Sequence, residues 1–249
     1  ERTGKIVYFP SCINQAMGPS SNQKAMDSLV NVTLRVLNRA GFQVIFPENM
    51  NHLCCGMPWE SKGFFEIANK KCEELERELL TSSCNGKYPV LCDTSPCIYR
   101  MRKQMSKKLD LYEPVEFIHD FLLDKLDIKK QEGKMAFHVT CSSIKMNLEE
   151  KFKKLAEICV EQPVFPEQVG CCGFAGDKGF SVPELNEWAL RNLKKEIGEC
   201  RSGISNSRTC EIGLSNISGI SYQSIFYLIN QCTKEELIQN DQGTSRVNL

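Results

Sequence analysis

The chain has 249 residues, 41% of them hydrophobic, and 31 basic side chains balance 31 acidic ones. A formal charge of zero, with no long block of Lys and Arg, excludes the electrostatic footprint of a protein that grips nucleic acid or an acidic membrane. No apolar run is long enough to span a bilayer, and the opening ERTGKIVYFP lacks both the basic and the apolar region of a secretory signal.

Residues 5–9 (KIVYF) and 42–46 (FQVIF) are short β-branched and aromatic runs that read as buried strands, and 88–92 (YPVLC) is a third. Between the first two, residues 22–40 carry Met26, Leu29, Val30, Thr33, Val36, Leu37 and Ala40 at helical spacing, with Gly41 placed to end the helix. A second helical pattern covers 62–80. Residues 127–134 (DIKKQEGK) form a polar seam with a Gly and no apolar periodicity. The plan then repeats with a strand at 135–139 (MAFHV) and helices over 148–159 and 183–197. Pro183 suits a first helical turn, and a closing helix covers 223–232. Strands alternating with helices imply βαβ units and mostly parallel sheets.

The two halves echo each other. KIVYFPSC (5–12) corresponds to KMAFHVTC (134–141), and FPENMNHLCCGMPWESKGF (46–64) to FPEQVGCCGFAGDKGF (165–180). DTSPC (93–97) corresponds to SNSRTC (205–210), and VEFIHDFLL (115–123) to YQSIFYLI (222–229). Four landmarks in one order at a period of about 115 to 130 residues mark a duplication rather than a solenoid. The expected fold is α/β: two pseudo-symmetric Rossmann-like lobes, residues 1–130 and 131–249, each with a mostly parallel sheet and its own core.

Fourteen cysteines are well above ordinary usage yet below the density of a short disulfide scaffold. In a long chain without an export signal they point to metal or redox chemistry in a reducing compartment. Glu1 stands where an initiator Met would, which admits a longer parent chain. Cys12, Cys54, Cys55 and Cys97, and again Cys141, Cys171, Cys172 and Cys210, fall at strand-to-helix loops. A parallel sheet gathers such loops at its carboxyl edge, where open α/β folds bind ligands. Each set reads as a metal centre, a disulfide pair or buried thiols. Adjacent Cα atoms lie about 3.8 Å apart, against about 4.4–6.8 Å across an ordinary disulfide, so the neighbouring pairs are poor bridges. Packing alone gives no reason for two thiols beside Gly56 and again beside Gly173, and metal is preferred. Zinc usually takes C-x2-C knuckles, which are absent, whereas adjacent thiolates can serve different irons of one cluster.

The order cysteine, CCG, cysteine, present twice, resembles the cysteine-rich CCG domain found in heterodisulfide reductases, in the iron–sulfur component of glycolate oxidase and in lactate-utilisation iron–sulfur proteins. GCCGFAGDKGF with PELN and SNSRTCEIGLS resembles more closely still the C-terminal iron–sulfur region of FAD-linked D-lactate dehydrogenases. The resemblance implies one iron–sulfur centre per lobe, of 4Fe-4S type, held by Cys12, Cys54, Cys55 and Cys97 and by Cys141, Cys171, Cys172 and Cys210. It implies an electron-transfer module, not catalytic alone, that passes electrons from flavin to quinone or another acceptor. FAD would sit on a flavin-binding partner outside this sequence, since no G-x-G-x-x-G occurs here. The alternatives are heterodisulfide-like disulfide reduction at the cluster and a zinc-stabilised interaction domain without redox role. The implied location is cytoplasmic, peripheral to the inner face of the membrane.

Among the remaining candidates, Cys92 is weighed as a fifth ligand of the first set, but its place at a strand end aligned with Ser205 reads as an ordinary buried thiol. Cys72, Cys84, Cys159, Cys200 and Cys232 read as structural thiols without repeat partners. His52 lacks a counterpart in the second half, His119 reads as exposed, and His138 as a core histidine with a local hydrogen bond. Lys62 and Lys178 read as solvated, and Trp59 and Trp188 as packed.

Overall fold

The computed structural model describes residues 4–18 and 27–233; Met26 and the rest of 22–26 lie outside the described residues. The first half runs β1 (Gly4–Phe9), α1 (Cys12–Ala16), α2 (Leu29–Arg39), β2 (Phe42–Ile45), α3 (Met57–Glu60), α4 (Phe65–Ser82), β3 (Val90–Cys92), α5 (Ser95–Gln104), β4 (Leu111–Tyr112) and α6 (Pro114–Phe117). The second runs β5 (Gln131–Phe137), α7 (Cys141–Lys145), α8 (Glu149–Cys159), β6 (Val160–Val164), α9 (Lys178–Ser181), α10 (Pro183–Ala189), α11 (Leu193–Ile197), β7 (Ser202–Ile204), α12 (Arg208–Ser218), β8 (Ser221–Gln223) and α13 (Ile225–Cys232).

Two four-stranded sheets result, ordered β2-β1-β3-β4 and β6-β5-β7-β8, and every pairing is parallel. The identical order is the structural form of the duplication. It also places a topological switch point between β1 and β3 and between β5 and β7, where open α/β sheets form their ligand crevice.

Local chemistry explains the element ends. The Ser28 side chain accepts from Asn31 N to start α2, and Gly41, at φ 83°, carries the chain out of it. The expected single helix over 183–197 is two. Arg191 Nη1 donates to Trp188 O at 2.8 Å and Asn192 Nδ2 to Gln168 Oε1 at 2.7 Å, so side chains hold the break between α10 and α11. The seam is shorter than its polarity suggests. Gln131 already pairs with Val160, and the register shifts before Lys134, where Gly133 has φ 85°.

Each sheet is buried on both faces. One face of the first sheet packs Val7, Phe9 and Cys92 on Leu75, Leu79 and Ile98, and one face of the second packs Ala136 with Leu190, Leu193 and Leu214. The other two faces share a third core, in which Val32 and Val36 of α2 meet Phe226 and Ile229 of α13. The two halves are therefore fused along a common apolar layer as well as having private cores. A polar seam joins them too. Buried Glu113 accepts from Asn206 Nδ2 at 2.9 Å, from Val115 N at 2.6 Å and from Ser95 Oγ, while Ser95 N donates to Asn206 O at 3.0 Å. Its carboxyl lies above the usual range because burial disfavours the charge.

Candidate metal-binding site

In the first half Cys12 opens α1 after β1, Cys54 and Cys55 precede α3 after β2, and Cys97 lies in the first turn of α5 after β3. Their sulfurs form a row of hydrogen-bonding contacts: Cys12 to Cys54, Cys54 to Cys55 and Cys55 to Cys97. Cys92 extends the row through Cys97, so the structure makes it a fifth sulfur of this pocket. The second half repeats the row, from Cys141 to Cys171, Cys171 to Cys172, and Cys172 to Cys210, the last two sulfurs 2.9 Å apart. All eight cysteines singled out in the sequence thus meet in two sets of four. Among the described residues, no three His, Cys, Asp or Glu side chains are grouped round one point to hold a single metal ion.

Electrostatics single out one thiol in each row. Cys12 and Cys55 hydrogen-bond to Cys54 and hold it down to about 3, and the Gly56 N–H donates to its sulfur at 3.3 Å. Cys141 and Cys172 do the same to Cys171, held down to about 2, with the Gly173 N–H at 3.4 Å. Their neighbours Cys12, Cys141 and Cys172 move up, because each shares its proton with that anion and is partly desolvated. The first cysteine of each CCG is therefore a thiolate hub. Gly56 and Gly173 have φ of 85° and 68°, and a Cβ on either would strike helix backbone, 2.2 Å from Ala68 O or 2.4 Å from Leu185 O.

The second cysteine of each pair is fixed through its carbonyl. Arg100 Nε donates to Cys55 O at 2.8 Å, and Asn186 Nδ2 to Cys172 O at 2.6 Å. Arg100 is fully buried, and Glu60 and Asn69 complete its contacts. Gly213 holds the place of Arg100 in the second half, and its missing side chain admits Asn186 and Phe174. Sequence reading missed both groups: Arg100 lies three residues past Cys97 on α5, and Asn186 comes from α10, outside the cysteine motifs.

Cys141 and Cys171 are exposed, while Cys12 and Cys54 are half-buried, so the second pocket is the more open. The two CCG loops adjoin: Lys62 Nζ pairs with Asp177 Oδ2 at 2.6 Å across the halves. Exposed Trp59, Phe64 and Phe65 follow the first loop, and Phe180, Leu185 and Trp188 the second, Trp188 at 70% exposure. The expectation that both tryptophans pack holds only in part: Trp59 packs edge-on against Phe64, ring centroids 6.3 Å apart, while Trp188 carries only the Arg191 guanidinium over its ring. Cys159 and Cys232, read as structural thiols without repeat partners, touch each other in the shared core. His119 is half-buried beside Asp120, Nδ1 to Oδ1 2.7 Å, rather than exposed.

Glu211, adjacent to Cys210 and 4% exposed, is raised from 4.5 to about 7 by burial, despite Arg208 at 3.1 Å. A raised carboxyl favours the fold below the unfolded value, and that contribution is lost as pH rises through the folded one. The metal-free, reduced wild type is expected to lose roughly 3 kcal/mol relative to Glu211→Gln across this window. Urea unfolding of both chains at each pH checks it; a difference independent of pH would refute the assignment.

Fold and site together define a duplicated, all-parallel α/β protein with a four-thiol row at the carboxyl edge of each sheet. The pattern of the CCG cysteine-rich domain matches residues 6–102 and 135–215, and the chain belongs to that family. Lactate utilization protein A of Oceanobacillus iheyensis is 23% identical over 213 residues, covering 80% of this chain and 82% of that protein. Lactate utilization protein A 1 of Bacillus mycoides is 23% identical over 235 residues, covering 86% and 89%. Among solved structures, Picrophilus torridus aspartate racemase aligns over 93% of this chain and 95% of its own at 9% identity and TM-score 0.40. Glutamate racemase from Aquifex pyrophilus aligns over 91% and 81% at 12% identity and TM-score 0.38.

Proposed function

We propose that this chain is the iron–sulfur module of a lactate-oxidising system, relaying electrons from an FAD-linked D-lactate (2-hydroxy-acid) dehydrogenase to quinone or another acceptor. The observation that carries the reading is the thiol row itself, built twice in the same way at the ligand edge of a sheet. Relatives named lactate utilization protein A support the substrate class. When bound, a 4Fe-4S-type centre in each lobe, residues 1–130 and 131–249, supplies one-electron storage.

The chain's own part is to hold and bias those centres. Cys12, Cys54, Cys55 and Cys97 bind in one lobe and Cys141, Cys171, Cys172 and Cys210 in the other. Contacts from neighbouring thiols and a glycine N–H hold the Cys54 and Cys171 thiols low, which favours the thiolate form a metal takes. Cys97 and Cys210 sit in the first turns of α5 and α12, whose positive ends favour thiolate. A row of sulfurs suits several irons better than the closed shell one zinc requires. The exposed aromatic rim beside the more open pocket is the face offered to the flavin-bearing partner. No described helix is long and apolar enough to cross a membrane, and on this reading the chain works in the cytoplasm, at the inner membrane face.

The test is anaerobic purification followed by iron and acid-labile sulfide analysis. Two centres per chain, reduced when lactate and the flavoprotein are added, are expected. Colourless protein with one zinc per lobe would replace the reading with an interaction domain. Disulfide reduction by the isolated chain would replace it with heterodisulfide chemistry.

A further inference from the structure

The two pockets share the same row of four cysteines but differ in what lies beneath it. Phe9 and Cys92 pair at the ends of β1 and β3. On the second sheet Ala136 pairs with Gly203 and Phe137 with Ile204, so the next residues, His138 and Ser205, take the same two places. His138 N donates to Ile204 O at 2.9 Å, which continues the ladder. Alternation along the strand puts His138 on the face of Ala136, which packs with Cys172 and Cys210, while Phe137 faces the shared core. An imidazole–hydroxyl pair thus stands under the second pocket where a phenyl–thiol pair stands under the first.

His138 is 2% exposed, its Nδ1 lies 3.3 Å from Ser205 Oγ, and its Nε2 is buried without a hydrogen-bond partner. Leaving such an atom unpaired in the interior is costly, so a site that keeps one calls for a partner. Cys171 is near enough to act on the ring electrostatically.

We propose that His138 is a positioning residue of the second centre, its Nε2–H donating to a sulfur of the group held by Cys141, Cys171, Cys172 and Cys210. In this arrangement Ser205 Oγ–H donates to Nδ1 and keeps the proton on Nε2. The inference rests on reading the pockets as iron–sulfur sites. Hydrogen bonds to cluster sulfur stabilise the more negative, reduced state and raise the potential. Phe9 offers the first centre no such donor, so the duplicated pockets become inequivalent.

The experiment compares the anaerobically loaded full chain with His138→Phe, which installs the residue of the first lobe, and His138→Gln, which keeps an N–H donor. Iron, sulfide and the midpoint of each centre are measured by redox titration. His138→Phe is expected to keep both centres, shift one midpoint negative and leave the other unmoved, with most of the shift restored in His138→Gln. A wild type without iron and sulfide overturns the pocket reading and the inference together. Full loading with both midpoints unmoved in His138→Phe overturns the inference alone. Should His138→Phe fail to load, the spin-echo spectrum of 15N-histidine-labelled Cys54→Ser, which keeps only the second centre, decides. Weak nitrogen coupling is expected there; none, or the strong coupling of a directly bound ring, overturns the assignment.

Discussion

Replacing Cys171 with serine is expected to remove about one of two centres per chain, Cys54→Ser to remove the other, and Cys232→Ser to remove neither. Cys54 and Cys171 are the hubs of their rows, each touching two further sulfurs and taking a glycine N–H. A serine oxygen at the hub is a harder, protonated donor that does not substitute for a soft thiolate on iron. Cys232 lies in the shared core against Cys159, its thiol donating to Cys159 O at 3.5 Å, away from both rows. Iron and sulfide per chain, measured anaerobically on the three variants and on the Cys54→Ser/Cys171→Ser double variant, decide the matter. The double variant is expected to be nearly metal-free. Equal loss from all three single variants would dissolve the two-pocket assignment, and full retention in Cys171→Ser would free the second row from any metal.

The gathering of the cysteines was more legible in the sequence than the strand bounds were. Apolar runs such as KIVYF, FQVI and YPVLC carry enough signal to be found, which Val160–Val164, broken by Glu161, Gln162 and Pro163, lacks. Leu111–Tyr112, Ser202–Ile204 and Ser221–Gln223 lack it too, since two or three residues have no period and their strand character comes from pairing with a neighbour. The cysteines needed no such precision. A loop between a parallel strand and the next helix returns to the same sheet edge whatever its exact bounds, so order alone gathered Cys12, Cys54, Cys55 and Cys97. What could not be read was everything reaching the pocket from elsewhere. Arg100 and Asn186 lie at different places in their halves yet hold the same carbonyl. Cys92, weighed as a fifth ligand but read as an ordinary buried thiol, joins the row because β3 ends beside Cys97. Cys159 and Cys232 meet through packing across the shared core, which no repeat encodes.

Gly173→Ala and Gly56→Ala are expected to destabilise the chain by about 3 kcal/mol each, against about 1 kcal/mol for Gly133→Ala. All three glycines have positive φ, so all three pay for a left-handed side chain. They differ in what a methyl would meet. At Gly133 it meets nothing within 4 Å, whereas at Gly173 it falls 2.4 Å from Leu185 O and 2.6 Å from Ala189 Cβ. At Gly56 it falls 2.2 Å from Ala68 O. Both obstacles are turns of helix, α10 and α4, that cannot yield without moving the core packed behind them. Relief has to come from the loop, which swings the glycine N–H off the hub sulfur and spoils the row. Metal content is therefore expected to fall alongside stability in Gly56→Ala and Gly173→Ala and to stay whole in Gly133→Ala. Urea unfolding with iron analysis on the three variants separates these effects. If Gly173→Ala unfolds no more readily than Gly133→Ala, the close approach of loop to helix is not what shapes the pocket.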